Sequence, residues 1–259
     1  MRCRYREKVY LCGDYADVQF FPVFDSSLSK SVRKKRFKPT SEVQERLNAE
    51  NAAKKLTRLI HTNFTSNDYA LHLTYVDSLL PADEDEAKKD IKKFLRRLRS
   101  MYKKENIELK YIAVTEKGKR SARLHHHLII SGGVNRDDIE SLWEKGYANA
   151  DRLRFTKDGV AGLSKYIVKQ PLFFKRWTSS RNLKKPVEQS RDGRVSIRKL
   201  DKLNRDSDNQ AYISELFKGT NLENYFVNDC VCKENSNNGG LYITIRLYKK
   251  TAKIINMRA

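Results

Sequence analysis

Two kinds of hydrophobic spacing alternate through the middle of the chain. Apolar residues that repeat every second position predict β-strands, and apolar residues spaced three and four apart predict helices. The predicted strands are residues 69–76, 109–116, 124–130 and 148–155. The predicted helices are residues 81–106, 136–145 and 159–170. The order of these elements predicts an α+β fold, in which helices pack on an antiparallel central sheet.

The flanking regions are less regular. Two short strands are predicted within residues 9–24, and a Ser41-Glu42-Val43-Gln44 capping box opens a helix that extends to about Ile60. Residues 222–247 predict a hairpin returning to the body, whereas the polar residues 188–209 are expected to be partly flexible. We therefore expect an N-terminal region packed on the core (1–64), the core (65–175), and a basic C-terminal extension (176–259). The N-terminal strands either join the main sheet or form an edge hairpin.

The charge of the chain restricts its partners. Its 259 residues have a formal net charge of +21, which indicates a polyanionic partner, with nucleic acid first and an anionic membrane surface second. No stretch approaches the roughly 18 apolar residues of a spanning helix, and no signal-peptide pattern opens the chain. We expect a cytoplasmic protein without a membrane partner. The four cysteines are sparse and fit reduced thiols better than a zinc site, because Cys230-Val231-Cys232 has the wrong spacing.

Three of the five histidines are consecutive in a predicted strand. Because side chains alternate along a strand, His125 and His127 share one face and His126 takes the other. Glu116 ends the preceding strand, and the short link between the strands predicts an antiparallel hairpin that brings Glu116 to the histidines. Two imidazoles and a carboxylate suit Mg²⁺ or Mn²⁺, with His72 as an alternative ligand. The simpler interpretation is an exposed histidine cluster without a metal.

A second candidate group is Tyr166, which shares one face of a short predicted helix with Lys169. A tyrosine hydroxyl has an ordinary pKa of about 10, so it needs a nearby cation to act as a nucleophile. Lys169 would favour the phenolate and neutralise a phosphate. The simpler interpretation is a tyrosine that packs its helix, which is the commoner fate of the thirteen tyrosines.

These motifs, in this order, resemble the HUH endonucleases, and within them the single-tyrosine rolling-circle replication initiators of phages and plasmids. The resemblance covers roughly residues 65–175 and rests on the strand Tyr69–Tyr75, on His125–His127 with Glu116, and on Tyr166–Lys169. It implies the HUH/Rep endonuclease fold, which is RRM-like. The usual His-hydrophobic-His becomes His-His-His; we take His126 as the middle residue, although the triplet leaves the register open by one.

The resemblance implies a metal-dependent nickase that acts on single-stranded or hairpin origin DNA in a bacterial host. Tyr166 would form a 5′-phosphotyrosine and release a 3′-hydroxyl, with a host helicase and polymerase extending it. Position 162 is Gly and position 170 is Gln, so a second tyrosine is missing and a second nick needs another subunit of a homo-oligomer or the newly made origin. Two alternatives stay open: a single-tyrosine HUH transposase, and a basic nucleic-acid-binding module without catalysis.

Two basic segments are candidate DNA contacts, through sequence-independent binding of phosphates. The first is a basic arm that consists of Arg33, Lys34, Lys35 and Arg36. The second follows the predicted tyrosine helix and combines an aromatic residue with cations: Lys175, Arg176, Trp177, Arg181, Lys184 and Lys185.

Overall fold

A computed structural model describes residues 3–24, 42–118, 123–155, 160, 176–235 and 239–250. The chain divides into two compact units. One unit comprises residues 43–184 and 255–259, and the other comprises residues 1–42 and 185–254. Each unit contains a five-stranded sheet, and every strand pairing is antiparallel. The predicted α+β fold class is therefore confirmed.

The unit of residues 43–184 is built on the sheet that was predicted from the alternating strands. The strands are β3 (Tyr69–Thr74), β4 (Tyr111–Lys117), β5 (Leu124–Ile130), β6 (Ala148–Arg152) and β7 (Thr178–Ser179). Their order in the sheet is β6-β3-β5-β4-β7. The helices are α1 (Glu42–Asn63), α2 (Glu84–Lys104) and α3 (Arg136–Ser141). Helices α1 and α2 pack against opposite faces of this sheet, because each joins a different one of its two hydrophobic clusters.

Helix α2 has the start and end signals that local physics favours. The side chain of Asp83 accepts a hydrogen bond from the backbone N–H of Glu86 at 2.8 Å, and acidic residues fill the first turn. Lys103 and Lys104 lie in the last turn, where the partial negative charge of the helix end attracts cations. Its buried residues form one stripe: Ala87, Ile91, Phe94, Leu95, Leu98 and Tyr102. This stripe fixes α2 on the face of the sheet that we call the α2 face.

Helix α1 covers part of the opposite face, which we call the α1 face. Leu56 and Ile60 of the helix are fully buried with Ile112, Val114 and Ile129, which project from β4 and β5. Since the side chains of alternate residues share a face, His125 and His127 lie on the α1 face next to Ile129. Ser41 of the predicted capping box lies outside the described residues.

The second unit joins the two ends of the chain. Strands β1 (Cys3–Cys12) and β2 (Tyr15–Phe24) form a sheet with β8 (Val187–Asp192), β9 (Tyr225–Asn235) and β10 (Gly240–Lys249). Its strand order is β8-β1-β2-β10-β9. The boundaries therefore differ from the division at 64 and 175: the N-terminal strands pair with the C-terminal hairpin, whereas α1 belongs with residues 43–184. Ladder hydrogen bonds between β2 and β10 cause this difference.

Residues 188–209, expected to be polar and partly flexible, lie largely in regular structure. They include most of β8 and the helix α4 (Ile197–Arg205), and α5 (Gln210–Glu215) follows. Strand β8 pairs with β1, and the ion pair between Arg6 and Asp192 (2.6 Å) crosses the two strands. Leu200 and Leu203 of α4 are fully buried in the core of this unit, so a narrow apolar stripe suffices to hold an otherwise polar helix. No helix within the described ranges is long and apolar enough to span a membrane.

Candidate metal centre and nucleic-acid surface

Three neighbouring strands bring four potential metal ligands to the α1 face. In the register of the sheet, His72 of β3 lies opposite His127 of β5, and Glu116 of β4 lies opposite His125. Directly opposed side chains on one face of an antiparallel pair have Cβ atoms about 4.5–5.5 Å apart. The sheet register therefore places His72, Glu116, His125 and His127 in one group.

The carboxylate of Glu116 lies between two imidazoles. Its Oε1 atom is 2.8 Å from Nε2 of His125 and 3.0 Å from Nε2 of His127. Glu116 is buried, and the side chains of the two histidines are only 12% and 13% exposed. The structure thus brings together the three residues predicted as ligands, with their donor atoms converging on one point. That they bind a metal stays a prediction.

His72 completes the group on its β3 side. Its ring stacks on that of His127 with centroids 4.6 Å apart and planes 4° apart, and it meets the ring of His125 edge-on at 5.3 Å. One nitrogen from each of the three histidines lies within 4.8 Å of the others, which is close enough for one ion to bind all three. From the sequence, His72 was only an alternative ligand, since its position depends on the order of the strands.

The charges of the group suit a cation. Burial alone would raise the pKa of Glu116, but hydrogen bonds from His125 and His127 outweigh it and hold this pKa at about 2. Burial lowers the pKa of His72 to about 4, and the neighbouring His127 and His125 add to the effect. The pKa of His125 is raised, because the hydrogen bond to Glu116 outweighs the opposing effect of burial. At neutral pH, Glu116 is ionised and His72 is neutral, as metal ligands must be.

His126 faces the opposite side of β5 and is fully buried. Its Nε2 atom lies 2.8 Å from the hydroxyl of Tyr75, and its Nδ1 atom lies 2.7 Å from the hydroxyl of Thr115. Burial lowers the pKa of His126 to about 3, so the imidazole is neutral. The structure therefore resolves the register that the triplet left open: His126 is the middle residue, and His125 and His127 face the site.

Tyr166 and Lys169 lie outside the described residues, as do Arg33, Lys34, Lys35, Arg36 and Lys175. Residues that flank the tyrosine segment are described, however. Val160 is buried in the hydrophobic cluster of the α1 face, and Trp177 packs against the same cluster. The chain therefore enters residues 161–175 from the α1 face and leaves them near that face, on the side of the sheet that carries the imidazoles.

The described members of the second basic segment differ in exposure. Arg181, Lys184 and Lys185 are exposed, whereas Arg176 is half-buried. Trp177, expected to offer an aromatic surface to DNA, is also half-buried and packs in the protein's own hydrophobic cluster. The backbone N–H of Lys184 donates to Oδ1 of Asn63 at 2.7 Å, which fixes this segment to the end of α1. DNA contact by these residues stays a prediction.

Comparison with known proteins agrees with the position of this site. No curated protein sequence and no solved structure matches the chain significantly. Residues 68–171 match the model of a family described as replication-associated proteins of the ORF2 type. This segment contains all four residues of the metal-ligand group and also Tyr166. The match supports a replication initiator of the Rep type.

Proposed function

We propose that this chain is a rolling-circle replication initiator of the HUH type that nicks single-stranded origin DNA through Tyr166. The observation that carries the proposal is the convergence of His72, His125 and His127 with Glu116 on one sheet face, inside the segment that matches the replication-associated family. Histidines and an ionised carboxylate in one buried group are better suited to a cation than to packing alone.

The proposed reaction is a phosphoryl transfer without net hydrolysis. The phenolic oxygen of Tyr166 attacks the scissile phosphorus in line and loses its proton, and the bond from phosphorus to the 3′-oxygen breaks. The departing oxygen takes up a proton and becomes the free 3′-hydroxyl, while the phosphate stays joined to Tyr166 as a 5′-phosphotyrosine. Attack by a 3′-hydroxyl on this phosphotyrosine reverses the step and rejoins the strand. Because the covalent bond conserves the energy of the broken linkage, joining needs no ATP.

The protein groups have separate roles in this proposal. A divalent ion such as Mg²⁺ or Mn²⁺, held by the histidines and Glu116, would polarise a non-bridging oxygen of the scissile phosphate. The hydrogen bonds from His125 and His127 orient the Glu116 carboxylate and keep it ionised. Lys169, one helical turn from Tyr166 in the sequence, favours the phenolate and balances the charge of the phosphate. Val160 and Trp177 support the placement of the intervening segment on the side of these ligands.

The substitution Tyr166→Phe tests the proposed nucleophile. The protein is incubated with Mn²⁺ and circular single-stranded DNA or a pool of labelled oligonucleotides, and covalent adducts are separated on a denaturing gel. Wild type is expected to form an adduct whose attachment maps to Tyr166 by mass spectrometry. Tyr166→Phe is expected to lose it while keeping DNA binding and metal binding.

Tyr147→Phe is the matched control, because this tyrosine is 76% exposed and no role depends on its hydroxyl. It is expected to form the adduct at the wild-type rate. Adduct formation by Tyr166→Phe, or loss of the adduct in Tyr147→Phe alone, contradicts the assignment. Chelation of the metal should abolish the wild-type adduct, and addition of excess Mn²⁺ should restore it.

A further inference from the structure

Helix α2 carries a basic surface that the proposed reaction does not use. Six cations on its solvent side define what we call the α2 basic surface: Lys89, Lys92, Lys93, Arg96, Arg99 and Lys103. All six are exposed, and they lie opposite the buried stripe of the helix. Residues 91–104 contain seven Lys and Arg and no Asp or Glu. The α2 basic surface lies across the sheet from the metal-ligand group, because α2 packs on the opposite face.

Neighbouring acids do not neutralise the α2 basic surface. The ion pairs of α2 among the described residues involve other members: Lys88 with Asp85, Arg97 with Glu144, and Asp90 with Lys145. None of the six cations forms an ion pair with an acid in the part of the chain that the structure describes. A run of uncompensated charge along a rigid helix repels itself, and a polyanion relieves that repulsion.

The surface continues past the C-terminal half of α2 to the edge of the sheet. Arg99 and Arg181 line one open cleft together with the hydroxyl-bearing residues Ser179 and Ser180. Asn182 lines the same cleft, and its Nδ2 atom donates to the carbonyl of Leu109 at 3.1 Å. Guanidinium and hydroxyl groups are the usual protein contacts to phosphate and sugar oxygens in DNA. The cleft therefore extends the cationic track from α2 towards β7.

We infer that the α2 basic surface binds the phosphate backbone of double-stranded DNA. From Lys89 to Lys103 the helix rises about 21 Å at 1.5 Å per residue. A duplex carries about one negative charge per 1.7 Å of its axis, so this length faces about a dozen phosphates. Binding of single strands instead relies on exposed aromatic rings that stack on bases. Both aromatic residues of α2, Phe94 and Tyr102, are buried, which favours the duplex.

The inference rests on the proposed function only for the source of the duplex, which is the DNA flanking the nicked strand. With the metal-ligand group on one face and the duplex surface on the other, the protein would hold the paired arm of an origin hairpin while its single strand reaches the tyrosine. Sequence-independent duplex binding would then add affinity without adding specificity.

Fluorescence anisotropy with a labelled duplex of about 20 base pairs tests the surface in the full chain. The variant Lys92→Gln, Lys93→Gln, Arg96→Gln removes three cations while keeping good helix formers. It is expected to weaken duplex binding tenfold or more at about 0.1 M salt. It should also lower the slope of log K against log salt by about 2 to 3, since each lost phosphate contact contributes about 0.9.

A matched control removes three exposed cations from another helix, α4: Arg198→Gln, Lys199→Gln, Arg205→Gln. This control should change duplex affinity by less than about threefold, which is the scale of a general charge effect. Equal duplex affinity in wild type and the α2 variant overturns the inference, and so does an equal loss in the α4 control. An equal fold-loss for the labelled single strand overturns the assignment to duplex.

Circular dichroism confirms that each variant is folded. If the first variant does not fold, Lys89→Gln, Arg99→Gln, Lys103→Gln tests the same surface with the same expected losses. The adduct assay on wild type with a short single strand decides the proposed function separately. A wild type that binds duplex through α2 but forms no adduct would retain this inference and reject the nickase, and the converse result would do the opposite.

Discussion

At the scale of single residues, the histidine triplet shows what alternation along a strand can predict. The prediction that His125 and His127 share a face follows from the two-residue period of β-structure, and the structure has this arrangement. His72 could not be placed with them from local sequence, since its proximity depends on β3 pairing with β5 rather than with another strand. The inward position of His126 was also open, because imidazoles are common both in cores and at sites.

The added imidazole of His72 changes the expected metal preference. Imidazole ligands favour transition metals, whereas Mg²⁺ prefers oxygen ligands, so we expect Mn²⁺ to bind more tightly than Mg²⁺. In calorimetric titration with Mn²⁺, His72→Ala and Glu116→Gln should each lower the affinity by about tenfold or more, equivalent to about 1.4 kcal/mol. Asn149→Ala, opposite His72 on β6, is the control and should bind like wild type. Unchanged affinity in His72→Ala would leave His72 as a stacking partner only.

His126 should make the stability of its unit depend on pH. Its folded-state pKa of about 3 lies below the ordinary value of 6.5, so the unfolded chain takes up a proton first as the pH falls. The stabilisation is complete above pH 6.5 and is lost progressively as the pH falls towards 3. One such histidine contributes a slope of about 1.4 kcal/mol per pH unit within this window. His126→Gln should therefore show a shallower loss of stability between pH 6.5 and 5 than wild type.

Urea unfolding followed by tryptophan fluorescence measures this effect, because Trp143 and Trp177 both lie in the unit of residues 43–184. Thr115→Val is the control for the His126 prediction. It removes one hydrogen-bond partner but keeps the titrating group, so its stability should fall at pH 7 while its slope against pH stays near wild type. Identical slopes in His126→Gln and wild type would mean that another group causes the pH dependence.

At the scale of secondary structure, helix α2 was predictable and the segment 188–209 was not, for a shared reason. Helix α2 has a wide apolar stripe and strong end signals within its own sequence. In contrast, α4 presents mainly Leu200 and Leu203 to its core, and β8 is polar along its whole length. Strand β8 is ordered by ladder hydrogen bonds and ion pairs with β1, a strand almost 180 residues away in the chain, and a local pattern cannot reveal such a partner.

The cap of α2 should contribute measurably to stability. Asp83→Ala removes the hydrogen bond to the backbone N–H of Glu86, and loss of such a cap costs about 1 kcal/mol. Asp85→Ala is the matched control: it removes an exposed first-turn acid that pairs only with Lys88, so its cost should be a few tenths of a kcal/mol. Urea unfolding is again followed by Trp143, whose ring lies 5.8 Å from that of Phe94 on α2. Equal costs for the two variants would assign the effect to charge rather than to the cap.

At the scale of the whole molecule, the sequence predicted the composition of the core but not the division of the chain. Residues 65–175 contain the sheet of the metal-ligand group, as expected, because its strands follow one another closely along the chain. The second sheet joins β2 to β10, whose paired residues are more than 200 positions apart. Pairing over this distance depends on burying the apolar faces of both strands against α4 and α5, and no local signal in either strand specifies the partner.

Charge is the property of the whole chain that the sequence states most directly, and it leads to a final prediction. The formal net charge is +21, and more than half of it lies in segments outside the described residues, among them the arm of Arg33, Lys34, Lys35 and Arg36. Replacing these four residues with Gln should lower the salt slope of single-strand binding by up to about 2.8, at about 0.7 for each phosphate contact.

Anisotropy with a labelled single strand, measured from about 50 to 200 mM salt, gives this slope. The α4 triple variant serves again as the control for general charge, and its slope should match wild type. Because phosphate contacts made by the arm are independent of base sequence, the loss of affinity should be equal for strands of unrelated sequence. A loss confined to one sequence would instead mean that the arm contacts bases, and an unchanged slope would remove the arm from the DNA-binding surface.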